Sequence, residues 1–208
     1  MLYKKPPYWN KAIKHLKHKD KILAKIINAH KGGYLIIKKG YFISLIRAII
    51  GQQISVKAAQ SIWIKFNKKY KTITPEIIVK ENIKNLKKIG LSKQKATYIK
   101  NIGNYFIKNK KRIKRWSKLK DNEIIDDLTS IKGVGIWTAE MFLIFSLGRS
   151  NVLPLKDLGL LKSISINYNK KMPPKEYFLK KLKNDWDPWC SVATWFLWRS
   201  IDPVPVNY

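Results

Sequence analysis

The 208-residue sequence contains a single cysteine, Cys190. One thiol excludes an intramolecular disulfide, a cysteine-based zinc site and a four-cysteine iron–sulfur cluster. The histidines are also few: His15, His18 and His30 lie among lysines near the N-terminus, where solvated surface is a simpler interpretation than metal ligation. We therefore expect a protein that requires no cofactor and holds no iron–sulfur cluster.

Long apolar runs are missing as well. The N-terminal stretch "MLYKKPPYWN" has no apolar signal-peptide core, and the most apolar segment, Ala139 to Leu147, is too short to span a bilayer. We expect an intracellular, soluble protein that binds no membrane and is a monomer. It would work in the cytoplasm beside the nucleoid, or in the nucleus if the source is eukaryotic.

Acidic residues are scarce, with 13 Asp and Glu against 43 Lys and Arg, for a net charge of +30. Such an excess raises the local concentration of a polyanion, and nucleic acid is favoured over an anionic membrane surface. Part of the lysine excess is also what an AT-rich genome produces. The densest basic segment, residues 108–120, is either a solvated surface or a phosphate contact.

Apolar residues recur at three- and four-residue steps along most of the chain, for example from Val56 to Tyr70. No segment shows a sustained period of two, so the predicted fold class is all-α. Predicted helix starts are Ser55, Thr74 followed by Pro75, Ser92 and Asp121. Ala139 to Leu147 predicts a helix buried on every side. The C-terminal tryptophans either pack in a core or line a base-sized slot; they are Trp186, Trp189, Trp195 and Trp198.

Two glycines, Gly133 and Gly135, surround Val134 just before this buried helix. Glycine permits positive φ and removes side-chain bulk, so main-chain N–H groups at the helix start can approach a phosphate. A tight helix–helix turn without a ligand has the same pattern. The basic surroundings favour DNA binding through backbone amides, which is independent of base sequence.

The segment "LTSIKGVGIWTAEMFLIFSLG" resembles the helix-hairpin-helix of the DNA base-excision glycosylases, and "VLPLKDLGL" resembles the following segment with the catalytic aspartate. "FISLIRAIIGQQISVKAAQSI" resembles the GQQ helix of the 3-methyladenine-DNA glycosylase II branch. "IGLSKQKATYIKNI" and "WDPWCSVATWFLW" match that branch in the same order. The resemblance extends from about Ala12 to Trp198.

The resemblance implies two helical lobes that flank a cleft within one domain, residues 1–208. The central lobe would span about 41–155 and contain the hairpin at 129–137. The second lobe would combine 1–40 with 156–208. Larger members of the branch carry an additional N-terminal β-rich domain, for which this chain has no room, so we expect the compact form.

At the family's catalytic position the chain has Asp157, the only carboxylate between Glu140 and Glu176. Breaking an N-glycosidic bond develops positive charge on the sugar, which a carboxylate near C1′ stabilises while it orients the attacking water. Asp157 is also a candidate N-cap for a helix that begins at Leu158, and both roles are compatible. The neighbouring Lys156 stands where many relatives have an acidic residue.

The resemblance also implies a base pocket formed by Trp137, Trp198 and Met141, into which a flipped base enters. Indole faces attract the cationic rings of N-alkylated purines. In the bifunctional branches a lysine amine occupies the place of Trp137 and attacks the sugar. Tryptophan has no such amine, so the resemblance implies a monofunctional enzyme with water as nucleophile.

DNA contacts are expected from the hairpin and from the GQQ segment. Gln53 matches a residue that fills the gap left by the flipped base; an amide that satisfies helix ends is the alternative. Main-chain carbonyls of the hairpin correspond to those that hold Na⁺ or K⁺ in the family; they belong to Thr129, Ile131 and Val134. The full set of expected DNA-binding residues is Gln52, Gln53, Ser55, Lys132, Gly133, Val134, Gly135 and Thr138.

The sequence therefore predicts a monofunctional DNA glycosylase that releases alkylated purines, 3-methyladenine foremost, from damaged duplex DNA. Two alternatives stay open. One is a non-enzymatic helix-hairpin-helix module that binds DNA junctions or ends. The other is a glycosylase for a different damaged base.

Overall fold

The computed structural model describes residues 5–38 and 40–202. These residues form thirteen α-helices and one 3-10 turn (Trp116–Lys118) and contain no β-strand, so the predicted all-α class is confirmed. The helices are α1 (Trp9–Lys19), α2 (Lys21–Ala29), α3 (Tyr41–Gly51), α4 (Val56–Lys69), α5 (Pro75–Lys80), α6 (Ile83–Lys88), α7 (Lys93–Lys108), α8 (Lys110–Ile113), α9 (Asp121–Thr129), α10 (Ile136–Phe145), α11 (Leu158–Asn167), α12 (Glu176–Trp186) and α13 (Cys190–Ile201).

The chain divides into two compact units. The first unit contains residues 5–38 and 143–202, and the second unit contains residues 40–142. The division falls inside α10, so residues 143–155 belong to the first unit, whereas the predicted central lobe included them. That the two units form one domain stays a prediction.

The predicted helix starts are confirmed in the second unit. Ser55 Oγ accepts a hydrogen bond from Ala58 N–H at 3.2 Å, and Ser92 Oγ accepts one from Lys95 N–H at 3.1 Å. Thr74 caps α5 in the same way, with Pro75 as the first helical residue. Each cap satisfies an N–H group that has no acceptor within its own helix.

The core of the second unit forms around α7, which packs against α3 and α5. At Gly103 an added Cβ would lie 2.7 Å from Val79 Cγ2, so only glycine lets α5 approach this closely. The apolar stripe of α4 is buried only in its C-terminal half: Val56 is 58% exposed, whereas Trp63 and Phe66 are buried. α3 and α7 together supply ten buried apolar side chains, which are Phe42, Leu45, Ile46, Ala48, Ile49, Ile50, Ala96, Ile99, Ile102 and Phe106.

The predicted buried helix corresponds to α10, which ends at Phe145, two residues earlier than expected. Its side chains from Met141 to Ile144 are all buried. α10 therefore has no polar surface in its second half, as its sequence indicates.

Aromatic side chains fill the core of the first unit. Trp9 is 1% exposed and packs against Trp195 and Phe196 of α13, with ring centroids 5.3 and 5.6 Å apart. Trp186 is fully buried. For Trp186 and Trp195 the structure therefore supports the core interpretation rather than a base-binding slot.

A buried aspartate, which the sequence gives no means of predicting, ties three helices of this unit together. Asp20 Oδ1 caps α2 by accepting from two main-chain N–H groups, at 3.0 and 2.9 Å. Its Oδ2 accepts from Trp186 Nε1 at 2.9 Å and from the Tyr168 hydroxyl. Burial and the nearby Asp20 charge raise the pKa of Tyr168, so this hydroxyl remains a donor.

Among the described residues, no helix is long and apolar enough to cross a membrane. Nor does the part of the chain that the structure describes contain a group of three His, Cys, Asp or Glu side chains placed to hold a metal ion.

Candidate active site and nucleic-acid interface

A tight turn in the second unit joins α9 to α10. Val134 N–H donates to the carbonyl of Ile131 at 2.9 Å, and both side chains are buried. Burial of these two apolar side chains therefore holds the turn in place. The Val134 amide is used within the turn, so other amides of the hairpin must make any phosphate contact.

Glycine occurs at the two hairpin positions for different structural reasons. Gly133 has φ +107°, and an added Cβ would lie 2.1 Å from the ring of Tyr98. The fold alone therefore requires glycine there. The positive φ expected at Gly133 is confirmed, and its expected DNA contact stays a prediction. At Gly135 no atom lies within 4 Å of an added Cβ, and the residue is exposed. Nothing within the described chain accounts for a glycine at 135.

The amides beside Gly135 point toward solvent at the start of α10. Neither Gly135 N–H nor Ile136 N–H donates to a residue that the structure describes, and Ile136 is 44% exposed. The positive end of the helix dipole lies at the same place. This end of α10 can accept an anion.

Two side-chain amides hold the hairpin. Gln52 Nε2 donates to the Gly133 carbonyl at 3.2 Å and lies 3.4 Å from Thr138 Oγ1. Asn101 Nδ2 donates to the Lys132 carbonyl at 3.1 Å. Gln52 and Thr138, both expected DNA contacts, thus act within the protein, and Asn101 is a site residue that the sequence did not reveal. Lys132 is exposed beside them.

The neighbouring Gln53 is exposed in the turn between α3 and α4 and has φ +56°. A non-glycine residue seldom adopts this left-handed conformation unless its surroundings impose it. The amide that satisfies main-chain groups is therefore Gln52, while Gln53 projects from the surface. Ser55, two residues later, uses its hydroxyl to cap α4.

A lysine missed by the sequence reasoning stabilises this turn. Lys95 Nζ donates to the carbonyls of Ile50 at 2.8 Å and Gln52 at 2.6 Å. A cation at the C-terminal end of α3 satisfies carbonyls that have no partner in the helix. Burial lowers the pKa of Lys95 from its ordinary value. Nothing in the local sequence distinguishes it from the other 42 basic residues.

Asp157 lies in the first unit, and its predicted N-cap role is confirmed. Its Oδ1 accepts from Leu160 N–H at 2.6 Å and from Trp198 Nε1 at 2.8 Å. Trp198 in turn stacks on Phe145, with centroids 5.9 Å apart and an interplanar angle of 13°. An added Cβ on Gly159 would lie 3.2 Å from the same Oδ1. Two N–H groups from different helices therefore set the orientation of the carboxylate.

The loop around this carboxylate is exposed, with Leu155 and Leu158 40% and 72% exposed. The other two expected pocket residues belong to the second unit. Trp137 and Met141 lie one turn apart on α10; Trp137 is half-buried and Met141 is 2% exposed.

Comparison with known proteins identifies this arrangement. Residues 46–188 match the model of the "HhH-GPD superfamily base excision DNA repair protein" family, a range that contains the hairpin and Asp157. The chain belongs to the HhH-GPD superfamily. One relative of this chain is DNA-3-methyladenine glycosylase 1 of Schizosaccharomyces pombe. The two sequences are 33% identical over a region that covers 86% of this chain and 81% of the relative.

Solved HhH-GPD structures are similar over nearly the whole chain. A 3-methyladenine DNA glycosylase of Schizosaccharomyces pombe in complex with abasic DNA is 29% identical, with a TM-score of 0.79, and covers 95% of this chain and 99% of the other. A DNA-3-methyladenine glycosidase of Bacillus halodurans is 30% identical, with a TM-score of 0.80, over 96% and 92% of the two chains.

The HhH-GPD fold does not by itself decide the reaction. An 8-oxoguanine glycosylase/lyase of Clostridium acetobutylicum in complex with DNA has a TM-score of 0.77 at 16% identity, over 94% of this chain and 71% of the other. At that identity only the fold is shared. The side chains at the site must therefore distinguish a hydrolase from a lyase.

Proposed function

We propose that this HhH-GPD protein is a monofunctional DNA glycosylase that releases alkylated purines, 3-methyladenine foremost, and leaves an abasic site for base excision repair. The observation that carries the proposal is the Asp157 carboxylate, held by two N–H donors at the position of the family's catalytic aspartate. Relatives about 30% identical that are named DNA-3-methyladenine glycosylase support the choice of substrate.

Asp157 acts by charge in this mechanism. As the N-glycosidic bond breaks, its electron pair leaves with the base and positive charge develops on the deoxyribose. A carboxylate held in place stabilises that charge without having to reorganise. Water then adds to C1′ and loses a proton, which yields the free base and an abasic sugar. The Trp198 and Leu160 donors keep the carboxylate in one orientation throughout.

The nucleophile in this proposal is water, because Trp137 has no amine to attack C1′. Alkylation at N3 or N7 makes the purine a better leaving group and gives it positive charge. Indole faces at Trp137 and Trp198 attract such rings more strongly than unmodified bases. Trapping with borohydride, which captures a Schiff base, should give no covalent protein–DNA complex; a trapped complex would establish a lyase.

In this proposal the protein binds DNA through the phosphate backbone. The amides of Gly135 and Ile136 and the dipole of α10 bind one phosphate. Gln53, exposed at the end of α3, enters the space left by the flipped nucleotide. The carbonyl of Thr129 lies at the negative end of α9 and receives no N–H from the described chain. Together with the carbonyls of Ile131 and Val134 it would hold a monovalent cation. Such an ion would add positive charge beside that phosphate.

The test of this function is Asp157→Asn. Asparagine keeps an oxygen that accepts from Leu160 N–H and Trp198 Nε1, so the cap of α11 and the fold are retained while the charge is lost. Release of base from methylated duplex DNA, scored as alkali-labile sites in single turnover, should fall by about 100- to 1000-fold.

Asp126→Asn is the matched control, because this exposed aspartate on α9 loses the same charge in a residue that has no role in the proposed reaction. It should release base at the wild-type rate. If wild type binds duplex DNA but releases no base, the chain is a non-enzymatic DNA-binding module. If Asp157→Asn is as fast as wild type, the proposed chemistry is wrong.

A further inference from the structure

Residues 108–120, here called the basic connector, join α7 to α9 and have no part in the proposed reaction. They include two of the five arginines of the chain and no acidic residue. A general bias toward lysine does not account for arginine. Eight of the thirteen residues are basic: Lys108, Lys110, Lys111, Arg112, Lys114, Arg115, Lys118 and Lys120.

The basic connector is held firmly against the second unit. Trp116 is fully buried, and its indole N–H donates to Asp127 Oδ2 at 2.9 Å. Arg112 Nε lies 2.8 and 2.9 Å from the two oxygens of the same carboxylate, which raises the pKa of Arg112. One aspartate of α9 thus fixes two side chains of the segment. The backbone that carries the other basic side chains is therefore held in place before a ligand binds.

Nearby acids neutralise only two of the eight basic side chains. Asp127 and Glu123 both pair with Arg112, at 2.8 and 4.0 Å, and Glu76 pairs with Lys110 at 3.0 Å. The remaining six form no ion pair with an acid in the described ranges; they are Lys108, Lys111, Lys114, Arg115, Lys118 and Lys120.

Part of this charge surrounds a surface depression of about 230 Å³, lined by Lys111, Arg112, Arg115 and Leu119. Three of the four lining side chains are cations, and none is acidic. Cationic residues grouped around a shallow space suit a phosphate group. The one apolar side chain, Leu119, is half-buried, and Trp116 is buried, so the segment offers little to insert into a lipid surface.

The basic connector and the hairpin contact different parts of α7 within the second unit. The hairpin contacts α7 at Tyr98 and Asn101, whereas the connector starts at the end of this helix, Lys108. Seven to ten residues of helix span about 10–15 Å. A duplex has one phosphate per strand every ~3.4 Å, so a separation of this size corresponds to about three to four base pairs.

We propose that the basic connector is a second, sequence-independent binding site for DNA phosphates, separate from the hairpin amides; this rests on the proposed action on DNA. Charge without exposed aromatic or apolar groups recognises a regularly charged polymer and not a base. The connector thereby increases affinity for undamaged flanking duplex, without contributing to the chemical step.

The experiment compares the double variant Lys111→Gln, Arg115→Gln with Lys11→Gln, Lys14→Gln, two exposed lysines of α1 that give the same net charge. Arg112 is left intact because it anchors the segment. Binding to an undamaged duplex of about 30 base pairs is measured across a salt series. The log–log slope of the connector variant should fall in magnitude by about one to two units, and that of the control should stay at the wild-type value.

Base release from methylated duplex in single turnover at saturating protein should be the same for wild type and both variants. A connector slope equal to that of the control overturns the proposal. Binding of the same proteins to phosphatidylserine vesicles is also measured. If the connector variant keeps the wild-type slope for DNA but loses binding to the vesicles, the segment is a membrane contact and the proposal is overturned. Absence of base release by wild type counts against the glycosylase function alone. If the double variant melts below wild type, Lys111→Gln is measured by itself and should lower the slope by about one unit.

Discussion

At the scale of single residues, the two hairpin glycines serve different purposes, one in folding and one in binding. Gly133 is required by its positive φ and by the Tyr98 ring that packs on it. Gly135 has neither constraint, and its exposed amide is the place where a phosphate can approach. A pair of alanine substitutions separates folding from DNA binding at neighbouring positions.

Gly133→Ala should lower the free energy of unfolding by about 1–3 kcal/mol or more, because a Cβ meets Tyr98 in a backbone conformation that alanine disfavours. Gly135→Ala should melt at the wild-type temperature and bind duplex DNA more weakly, because a methyl group stands between the amides and the phosphate. Thermal melting and duplex titration of both variants measure the two effects. Wild-type affinity of Gly135→Ala would remove the hairpin amides from the interface.

Trp198 has a role at this scale that its aromatic character alone does not suggest. Its indole donates to the carboxylate of Asp157. Trp198→Phe keeps a ring that can stack on Phe145 but loses the N–H donor. A hydrogen bond to a charged group contributes about 1.5–3 kcal/mol, so single-turnover base release should fall by about 10- to 150-fold.

The control for this substitution is Trp189→Phe, which changes a half-buried indole stacked on Tyr8 in the same unit. It should leave the rate of base release unchanged. Affinity for undamaged duplex should be the same in both variants, because neither residue is among those proposed to bind the phosphates. Equal rates for Trp198→Phe and wild type would show that the indole N–H does not position Asp157.

At the scale of elements, helix ends carry most of the site. Asp157 is the N-cap of α11, the open amides are the first of α10, and Gln53 follows the end of α3. Helix ends present main-chain groups without intrahelical partners, and this is what makes them usable for binding charge. The turn between α3 and α4 depends on one such contact, the clamp made by Lys95.

Lys95→Met should lower the free energy of unfolding by about 1–3 kcal/mol, because two carbonyls at the end of α3 lose a charged donor. Urea unfolding measures this loss, and Lys93→Met, which changes an exposed lysine of the same helix, should be close to neutral. The variant should also bind damaged duplex more weakly, since the backbone of Gln53 is no longer held. An unchanged unfolding midpoint would mean that water replaces the ammonium without cost.

Helices were predictable to within a few residues because their signals are local. The caps at Ser55, Thr74, Ser92 and Asp157 each depend on the residue three positions later. The sequence did not decide whether each tryptophan packs in a core or lines a base-sized slot, because the packing of a ring depends on residues that are distant in sequence. Trp195 meets Trp9, 186 positions earlier, whereas Trp198 meets Asp157.

At the scale of the whole molecule, the net charge of +30 governs encounter with DNA. Binding to undamaged duplex should weaken steeply with salt, with a log–log slope between about −4 and −7 if about four to eight phosphates are contacted. A salt series in a fluorescence titration provides the slope. A flat dependence would mean that the basic surface does not bind DNA.

The amino-acid sequence by itself determined the all-α class, the helix starts and the family, because each depends on residues close together along the chain or on motifs in a fixed order. The tertiary structure alone decided which glycine is exposed, which glutamine holds the hairpin and which indole orients Asp157. Those assignments join residues far apart in sequence, 81 positions for Gln52 with Gly133 and 41 for Trp198 with Asp157. Close packing brings such pairs together, and no local pattern records the result.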